Sequence, residues 1–310
     1  MSVDARVIQR RRAAARARRQ RQIRRRRATA LAVIAVLVVG IVALATAGGG
    51  TSASPRPAAA SHGGSAVAPP VAQRAAVSRF AAAGQPIYCG GRSRRLVALT
   101  FDDGPGPYTT LALRKLSTAH APATFFLVGK ELAEHRDLPA LERAHGALGD
   151  HTWSHPYLPG LDAATVQGEL ARTQQLVATT AGAPVRLFRP PYGARTPAID
   201  TAAGSLGMAE ILWDVDTRDS EGADYAGIAA NVRREIRPGS IVLMHENRGQ
   251  TIRALDHVLQ TLRHKRLTPV TVPQLLAADP PSESQLAGGP EGCGASAGTG
   301  TEGRSARIPG

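Results

Sequence analysis

Five short apolar runs in this sequence each end in a cluster of polar residues, and this recurrence constrains the fold most strongly. The clusters are Thr100–Pro105, Asp150–His155, Arg189–Gly193, Asp214–Asp219 and His245. Strands alternating with helices favour a parallel sheet, and barrels of this kind collect their catalytic groups at the C-terminal ends of several strands. Because clusters from the first and last strands have to meet, the sequence predicts an α/β fold, a distorted (β/α) barrel of about seven parallel strands.

The apolar periodicity also gives approximate bounds for the elements. The predicted strands are Leu96–Phe101, Thr124–Val128, a weaker one near Ala147–Leu148, Val185–Phe188, Ile211–Val215, Ile241–Met244 and Pro269–Val272. The predicted helices include Thr110–Ala119, Ala163–Thr180, Ala226–Ile236 and Ile252–Arg263.

Two of the clusters carry groups that can bind a metal. Asp102 and Asp103 are adjacent, so on a regular strand they would face opposite sides, but Gly104-Pro105 can bend the chain and turn both toward one cavity. His151 and His155 are four positions apart, which places both imidazoles on one side of a turn. Taken singly, these motifs are also compatible with an Asp-Gly turn and with ordinary surface histidines.

Taken together, the clusters resemble those of the polysaccharide deacetylases with a NodB homology domain, the metal-dependent carbohydrate esterases of family four. The resemblance covers roughly residues 96–276. It depends on five motifs that stand in the family's order, TFDDGP at Thr100–Pro105, HTWSH at His151–His155, RPPY at Arg189–Tyr192, DTRD at Asp216–Asp219 and LMH at Leu243–His245.

The resemblance implies a metal centre held by Asp103, His151 and His155. One divalent ion is expected there, with Zn as the first choice and Co, Mn or Ni as substitutes that mixed oxygen and nitrogen ligands accept. Three protein ligands leave a coordination position open, as catalytic sites require. An ion held by these three residues would polarise an acetyl carbonyl and lower the pKa of a water bound to it.

The resemblance also implies the groups that move protons. Asp102 would be the general base, held by Arg189, and His245 the general acid, paired with Asp219. A backbone N–H near Tyr192 would stabilise the oxyanion of the tetrahedral intermediate.

Two positions depart from the family's pattern. Ser220 stands where the family commonly has Trp, which puts the apolar wall around His245 in doubt. Asp150 stands where the family often has Asn, and it would either add negative charge near the metal or orient His151.

The basic character of the chain is confined to its N-terminus. The net charge is +14, but residues 1–27 hold twelve Arg and one acid, Asp4, which leaves only +3 for the remainder. Residues 28–47 carry no charge and are long enough to cross a bilayer as a helix. The sequence therefore predicts an Arg-rich cytoplasmic tail and a transmembrane anchor, with a cleaved signal segment as the competing interpretation, and no binding of nucleic acid.

The remaining segments complete the predicted organisation. Residues 48–86 are rich in Gly, Ser, Ala and Pro and predict a flexible linker, residues 87–278 the NodB-like domain, and residues 279–310 a disordered tail. Outside a cell Cys89 and Cys293 either pair or remain free, and the sequence leaves this open.

The expected activity is hydrolysis of N-acetyl groups on an extracellular amino-sugar polymer, peptidoglycan or a chitin-type oligosaccharide. The alternatives are an O-acetyl xylan esterase and a catalytically silent cell-wall sugar-binding protein. The expected protein is a membrane-attached monomer whose catalytic domain lies outside the cell, or a secreted one if the signal is cleaved.

Overall fold

A parallel sheet of eight strands forms the centre of the computed structural model, which describes residues 68–294. The strands are β1 Leu96–Gly104, β2 Ala123–Leu127, β3 Gly146–Asp150, β4 Leu187–Phe188, β5 Ala209–Glu210, β6 Val215–Asp216, β7 Ile241–His245 and β8 Thr268–Val270. Their order is β5-β4-β3-β2-β1-β7-β6, and β8 pairs with the start of β1.

The sheet curls so that its two edges approach each other. Strands β5 and β6 lie at opposite edges, yet only residues 211–214 separate them along the chain. The five Cα–Cα steps from Glu210 to Val215 span at most about 18 Å even when fully extended. Within residues 68–294 no ladder joins β5 to β6, so the predicted α/β parallel sheet is present as a half-barrel rather than a closed barrel.

Helices connect the strands and bury apolar faces against them. They are α1 Pro70–Ala83, α2 Thr109–Thr118, α3 Gly129–Glu134, α4 Leu138–His145, α5 Ala163–Ala181, α6 Pro197–Ser205, α7 Tyr225–Glu235, α8 Gly249–His264, α9 Val272–Ala278, α10 Glu283–Ala287 and α11 Gly289–Gly292. The four predicted helices are therefore confirmed with small shifts at their ends.

One predicted strand, Ile211–Val215, is wrong. Strand β5 ends at Glu210 at one edge of the sheet, and of these five residues only Val215 belongs to one of the eight strands, β6 at the other edge. The carbonyl oxygens of Ile211 and Leu212 accept hydrogen bonds from the side chain of Arg189 instead of from a neighbouring strand. The apolar run is thus a crossover through the interior, which periodicity cannot distinguish from a buried strand.

The predicted flexible linker is also wrong over residues 70–83, which form α1. This helix buries Ala76, Val77, Phe80 and Ala81. These four side chains form a narrow stripe of mostly small residues, and the high alanine content that suggested a linker favours a helix once that stripe has a surface to cover.

The start of the tail is held in place by a disulfide between Cys89 and Cys293, whose Cα atoms are 5.9 Å apart. Nearby, the carboxylate of Asp279 accepts hydrogen bonds from the Ser93 hydroxyl and from the backbone N–H of Arg94. Helices α10 and α11 also lie in this stretch, so the prediction of disorder is wrong for the described part of the tail.

None of the helices between residues 68 and 294 has the length and apolar character needed to span a bilayer. The predicted anchor at residues 28–47, the Arg-rich segment before it and the end of the tail after residue 294 lie outside the described residues.

Candidate active site

The C-terminal ends of the strands bring the predicted polar clusters to one edge of the sheet. Asp102 on β1 pairs in register with His245 on β7. Asp216 on β6 pairs with Leu243, which lies two residues before His245 on β7. Asp150 ends β3 opposite Phe188, which ends β4 and precedes Arg189. The five clusters therefore form one site.

Asp103, His151 and His155 place three ligand atoms close together. Asp103 Oδ1 lies 3.7 Å from His151 Nε2 and 3.3 Å from His155 Nε2, and the three atoms lie within 4.8 Å of one another. His151 Nδ1 lies 2.7 Å from the carbonyl oxygen of Arg189, which can only accept, so Nδ1 carries the proton and Nε2 keeps its lone pair.

Asp103 Oδ1 is buried and has no hydrogen-bond partner among the described residues. A buried carboxylate oxygen without a partner is costly, and it is what a bound cation would satisfy. One carboxylate and two imidazoles suit a divalent transition metal, and three protein ligands leave a coordination position for substrate. The donor set therefore fits the implied ion.

The site is built on strained backbone. Seven non-glycine residues between 68 and 294 have positive φ, and five of them belong to the predicted motifs: Asp103, Thr152, His155, Tyr192 and Arg218. Residues held in this region cost of order 1–3 kcal/mol each and cluster where function requires a special geometry. For Asp103 the value is 66°, which breaks the alternation of β1 and turns its carboxylate to the same cavity as Asp102.

Arg189 is wholly buried and fixes Asp102. Its Nη1 donates to Asp102 Oδ1 and to Thr100 Oγ1, at 2.8 Å each. Burial lowers the pKa of Arg189 and the charge of Asp102 opposes that effect, so the guanidinium, whose ordinary pKa is far above neutrality, remains charged. Asp102 Oδ2 is left facing His151 Nε2 at 3.7 Å, on the side of the ligand cluster.

Asp219 holds His245 at two points. Its Oδ1 accepts from His245 Nδ1 and its Oδ2 from the backbone N–H of His245, both at 2.8 Å, while the Thr251 hydroxyl also donates to Oδ2. Burial alone would lower the pKa of His245, but the hydrogen bond and charge of Asp219 raise it to about 9. The pair therefore favours an imidazolium. Its Nδ1–H donates to Asp219, and its Nε2–H is the proton available for donation.

The structure decides how the two departures are accommodated. The Asp150 carboxyl is buried and accepts from the backbone N–H of Thr152, so it does not orient His151, whose Nδ1 is taken by the Arg189 carbonyl. Burial raises the pKa of Asp150 well above its usual range, which favours a neutral carboxyl and removes the expected extra charge. Ser220 is exposed and forms no apolar wall at this position.

Sequence reasoning missed two further groups at the site. Asn247 donates from Nδ2 to Asp103 Oδ2 at 3.2 Å and so holds the outer oxygen of the predicted ligand. Glu246, directly after His245, is fully buried against the carboxyl of Glu142 on α4, and burial raises the pKa of both. Both contacts join residues that are far apart in sequence, so the sequence alone does not reveal them. The one available signal was that Glu246 directly follows the LMH motif.

The chain is similar to known carbohydrate deacetylases. Residues 90–211 match a family model described as polysaccharide deacetylase. A chitooligosaccharide deacetylase from Bradyrhizobium is 32% identical over 198 residues, which are 58% of this chain and 90% of that protein. A bifunctional xylanase/xylan deacetylase from Cellvibrio japonicus is 35% identical over 183 residues, which are 58% of this chain and only 27% of that protein.

Two solved structures share the fold of the domain. A peptidoglycan N-acetylglucosamine deacetylase has a TM-score of 0.60 and 30% identity, covering 62% of this chain and 92% of that one. A family-four carbohydrate esterase from Bacillus anthracis, described as a pseudoenzyme, has a TM-score of 0.60 and 29% identity, covering 62% and 69%. Because the fold occurs in both kinds of protein, activity depends on the side chains at the site and not on the fold alone.

The pairing of His245 with Asp219 gives a test of the site's electrostatics. In metal-free protein we expect the His245 ring protons to titrate near pH 9, and in Asp219→Asn to titrate at or below about 6.5, because the raised pKa depends on that carboxylate. NMR across pH 5–10 measures both. Thr251→Val keeps the carboxylate and should change the midpoint much less.

The same shift has a consequence for stability with a definite sign. A pKa raised in the folded state contributes stability that is complete below the unfolded pKa of about 6.5 and is lost as pH rises through about 9. The excess free energy of unfolding of wild type over Asp219→Asn should therefore shrink between pH 6 and 10. An excess that is constant or grows across that range would contradict the assignment.

Proposed function

The chain belongs to the polysaccharide deacetylase family of hydrolases, and from that premise we propose that it removes N-acetyl groups from an extracellular amino-sugar polymer in a metal-dependent reaction. The observation that carries the proposal is the unpartnered, buried Oδ1 of Asp103 between the Nε2 atoms of His151 and His155. The acid and base that amide hydrolysis requires stand beside it on paired strands, as Asp102 and His245.

The divalent ion would supply Lewis acidity, polarising the acetyl carbonyl and lowering the pKa of the attacking water. Asp102 would accept the proton of that water, since Arg189 takes its Oδ1 and leaves Oδ2 toward the cavity. The backbone N–H of Tyr192, on the turn that follows Arg189, would donate to the oxyanion, a contribution of about 3–4 kcal/mol in related chemistry.

His245 would complete the reaction as the general acid. An amine leaves only if it is protonated as the C–N bond breaks, and the imidazolium favoured by Asp219 has that proton on Nε2. Its pKa of about 9 belongs to the protein without metal, and a cation beside Asp103 would lower it toward neutrality, where transfer to the departing nitrogen is easier.

The proposed substrate is peptidoglycan first and a chitin-type oligosaccharide second, both of which carry N-acetylated amino sugars. The similarity to a peptidoglycan N-acetylglucosamine deacetylase and to a chitooligosaccharide deacetylase supports this class. Cleavage of O-acetyl esters on xylan is the variant favoured by the similarity to a xylan deacetylase, and the same residues would catalyse it because an ester is the easier electrophile.

A catalytically silent sugar-binding protein is the second candidate. Exposed Ser220 in place of the family's usual Trp favours it, and a pseudoenzyme is among the similar structures. The intact ligand set and the intact pairs of Asp102 with Arg189 and of His245 with Asp219 favour the enzyme, because a silent protein has no need to keep seven charged or titratable groups together in one strained site.

We infer that the domain lies outside the cytoplasmic membrane. The Cys89–Cys293 disulfide supports this, because disulfides persist in oxidising compartments, and the uncharged residues 28–47 directly after Arg24–Arg27 have the order expected for an anchor with a cytoplasmic N-terminus. Attachment by that segment would place the site at the cell wall.

Location is tested in intact cells with a cysteine introduced in the segment 48–67. We expect it to react with a membrane-impermeant thiol reagent, since it would lie on the outer side of the anchor. Protein found only in the medium with a new N-terminus near Ala47 would establish a cleaved signal instead, and protection from the reagent would place the domain inside.

Acetate release tests the function directly. The purified protein should release acetate from chitooligosaccharides and from peptidoglycan, and should stop doing so after chelation and recover when Zn is restored. His151→Ala should lose activity and bound metal together. His264→Ala is the matched control, because His264 is an exposed histidine at the end of α8 and should leave both unchanged.

The two adjacent aspartates are distinguished by metal content. Asp103→Asn should lose the ion and therefore activity, whereas Asp102→Asn and His245→Ala should keep the ion and lose at least about 10²-fold in kcat. Equal metal loss in Asp102→Asn and Asp103→Asn would contradict the division of roles. A wild-type protein that binds metal and chitooligosaccharide yet releases no acetate would favour the silent candidate.

A further inference from the structure

A groove of about 460 Å³ opens at the end of the sheet opposite the proposed active site. Its walls combine three apolar side chains with five basic ones, and the basic ones are Arg95, Arg237, His264, Lys265 and Arg266. None of the residues between 68 and 294 that line it is an Asp or a Glu. We refer to the five basic residues as the basic groove.

The basic groove lies where three neighbouring parallel strands begin. Arg95 directly precedes β1, Arg237 lies four residues before β7, and Arg266 lies two residues before β8. Both β7 and β8 pair with β1, and the C-terminal ends of β1 and β7 carry Asp102 and His245. Seven residues of strand separate Arg95 from Asp102, a distance of about 23 Å. The groove and the active site therefore occupy opposite ends of the domain.

The basic character of this end is not a property of the whole domain. Residues 68–294 contain 23 Arg and Lys against 22 Asp and Glu, so the net charge of the domain is close to zero. The opposite end holds carboxylates of the site, among them Asp102, Asp103, Asp216 and Asp219. A nearly neutral domain with its charges separated in this way is attracted to an anionic surface in one orientation.

Local structure accounts for only part of this positive charge. Basic residues in the last turn of a helix complement its dipole, but Arg95, Arg237 and Arg266 lie outside the helices. The Arg95 side chain donates to the carbonyl oxygens of Lys265 and Arg266, and Arg237 Nε lies 3.6 Å from the buried carboxylate of Asp214. Arg266 is exposed and forms no ion pair within residues 68–294. The groove therefore holds positive charge that the domain itself does not neutralise.

We propose that the basic groove binds the anionic phosphodiester headgroups of the membrane surface. The inference rests on the proposed location of the domain and does not depend on catalysis. Residues 48–67 join the predicted anchor to the described domain and span at most about 70 Å even when fully extended, so the groove meets the headgroups at a high effective concentration. Guanidinium groups suit this ligand because they bind phosphate oxygens with two parallel hydrogen bonds.

Docking by the groove orients the active site. With the beginnings of the strands on the headgroups, their C-terminal ends face away from the membrane, toward a polymer outside it. The attraction acts over about 10 Å at moderate salt, so the groove contributes and the far end of the domain does not. Each Arg or Lys near an anionic surface strengthens the attraction by about fivefold, which makes the loss of two charges measurable.

The test measures which end of the domain faces the lipid. The full chain is reconstituted with vesicles of phosphatidylcholine, alone or mixed with phosphatidylglycerol, whose headgroups carry an energy-transfer acceptor. A donor dye is attached to Thr268→Cys, exposed beside the groove, or to Ser220→Cys, exposed at the catalytic end, while the paired Cys89 and Cys293 do not react. Energy transfer should be stronger from position 268 than from position 220 in anionic vesicles. The difference should vanish in neutral vesicles and at high salt.

Removal of charge tests the groove itself. Arg95→Gln/Arg266→Gln should lower the ratio of docked to free domain by about 25-fold. Arg95→Lys/Arg266→Lys keeps the charge but loses the guanidinium contacts of Arg95, and it should retain most of the docking. Arg114→Gln/Arg253→Gln is the matched control and should leave docking unchanged, because it removes two exposed charges from α2 and α8 outside the groove.

Three outcomes would overturn the proposal. The first is equal energy transfer from positions 268 and 220 in anionic vesicles, or a full chain that these vesicles do not retain. The second is an equal loss of docking in the matched control, which would make net charge rather than the groove responsible. The third is a response of the dye at position 268 to soluble poly(glycerol phosphate) but not to anionic vesicles, which would assign the groove to a wall polymer. Acetate release enters none of these measurements, so a protein without deacetylase activity would still dock.

Discussion

The ion pair between Arg189 and Asp102 is the interaction on which the rest of the site depends. Strand β1, through Asp102, and the crossover, through the carbonyl oxygens of Ile211 and Leu212, are both bonded to one buried guanidinium. Removing one partner of such a pair leaves a buried charge unsatisfied and costs about 3–5 kcal/mol. Because the crossover joins the two edge strands, the Arg189 guanidinium that fixes the proposed base, Asp102, also fixes the curl of the sheet.

The backbone of Arg189 has a second role that its side chain does not reveal. Its carbonyl oxygen sets the tautomer of His151, while its guanidinium sets the orientation of Asp102. The proposed ligand and the proposed base are therefore held by opposite ends of one residue, and a displacement of β4 would disturb both. This coupling explains why the site tolerates Asp150, whose buried carboxyl is occupied with Thr152 and takes no part in holding the ring.

The fold and the site differ in how far the sequence could predict them. The strand ends and the clusters on them were predictable, because residues such as Asp102 and His245 are polar groups directly after short apolar runs. The crossover at Ile211–Val215 was not, because a buried connection and a buried strand have the same apolar pattern. Asn247 and the pair of Glu142 with Glu246 depend on contacts across long sequence separations, which one sequence does not record.

The neighbouring aspartates show how strain creates two roles from one dipeptide. On a regular strand Asp102 and Asp103 would point to opposite faces, and the Gly104-Pro105 turn was the predicted cause of their convergence. The structure places the deviation one residue earlier, at Asp103 itself, whose φ of 66° lies in the left-handed region that few residues other than glycine adopt. Such a conformation persists only when the surroundings enforce it. Here Asn247 holds one oxygen of Asp103, and the other oxygen has no hydrogen-bond partner and lies between two imidazoles. A bound cation would therefore offset part of the free-energy cost of this backbone conformation.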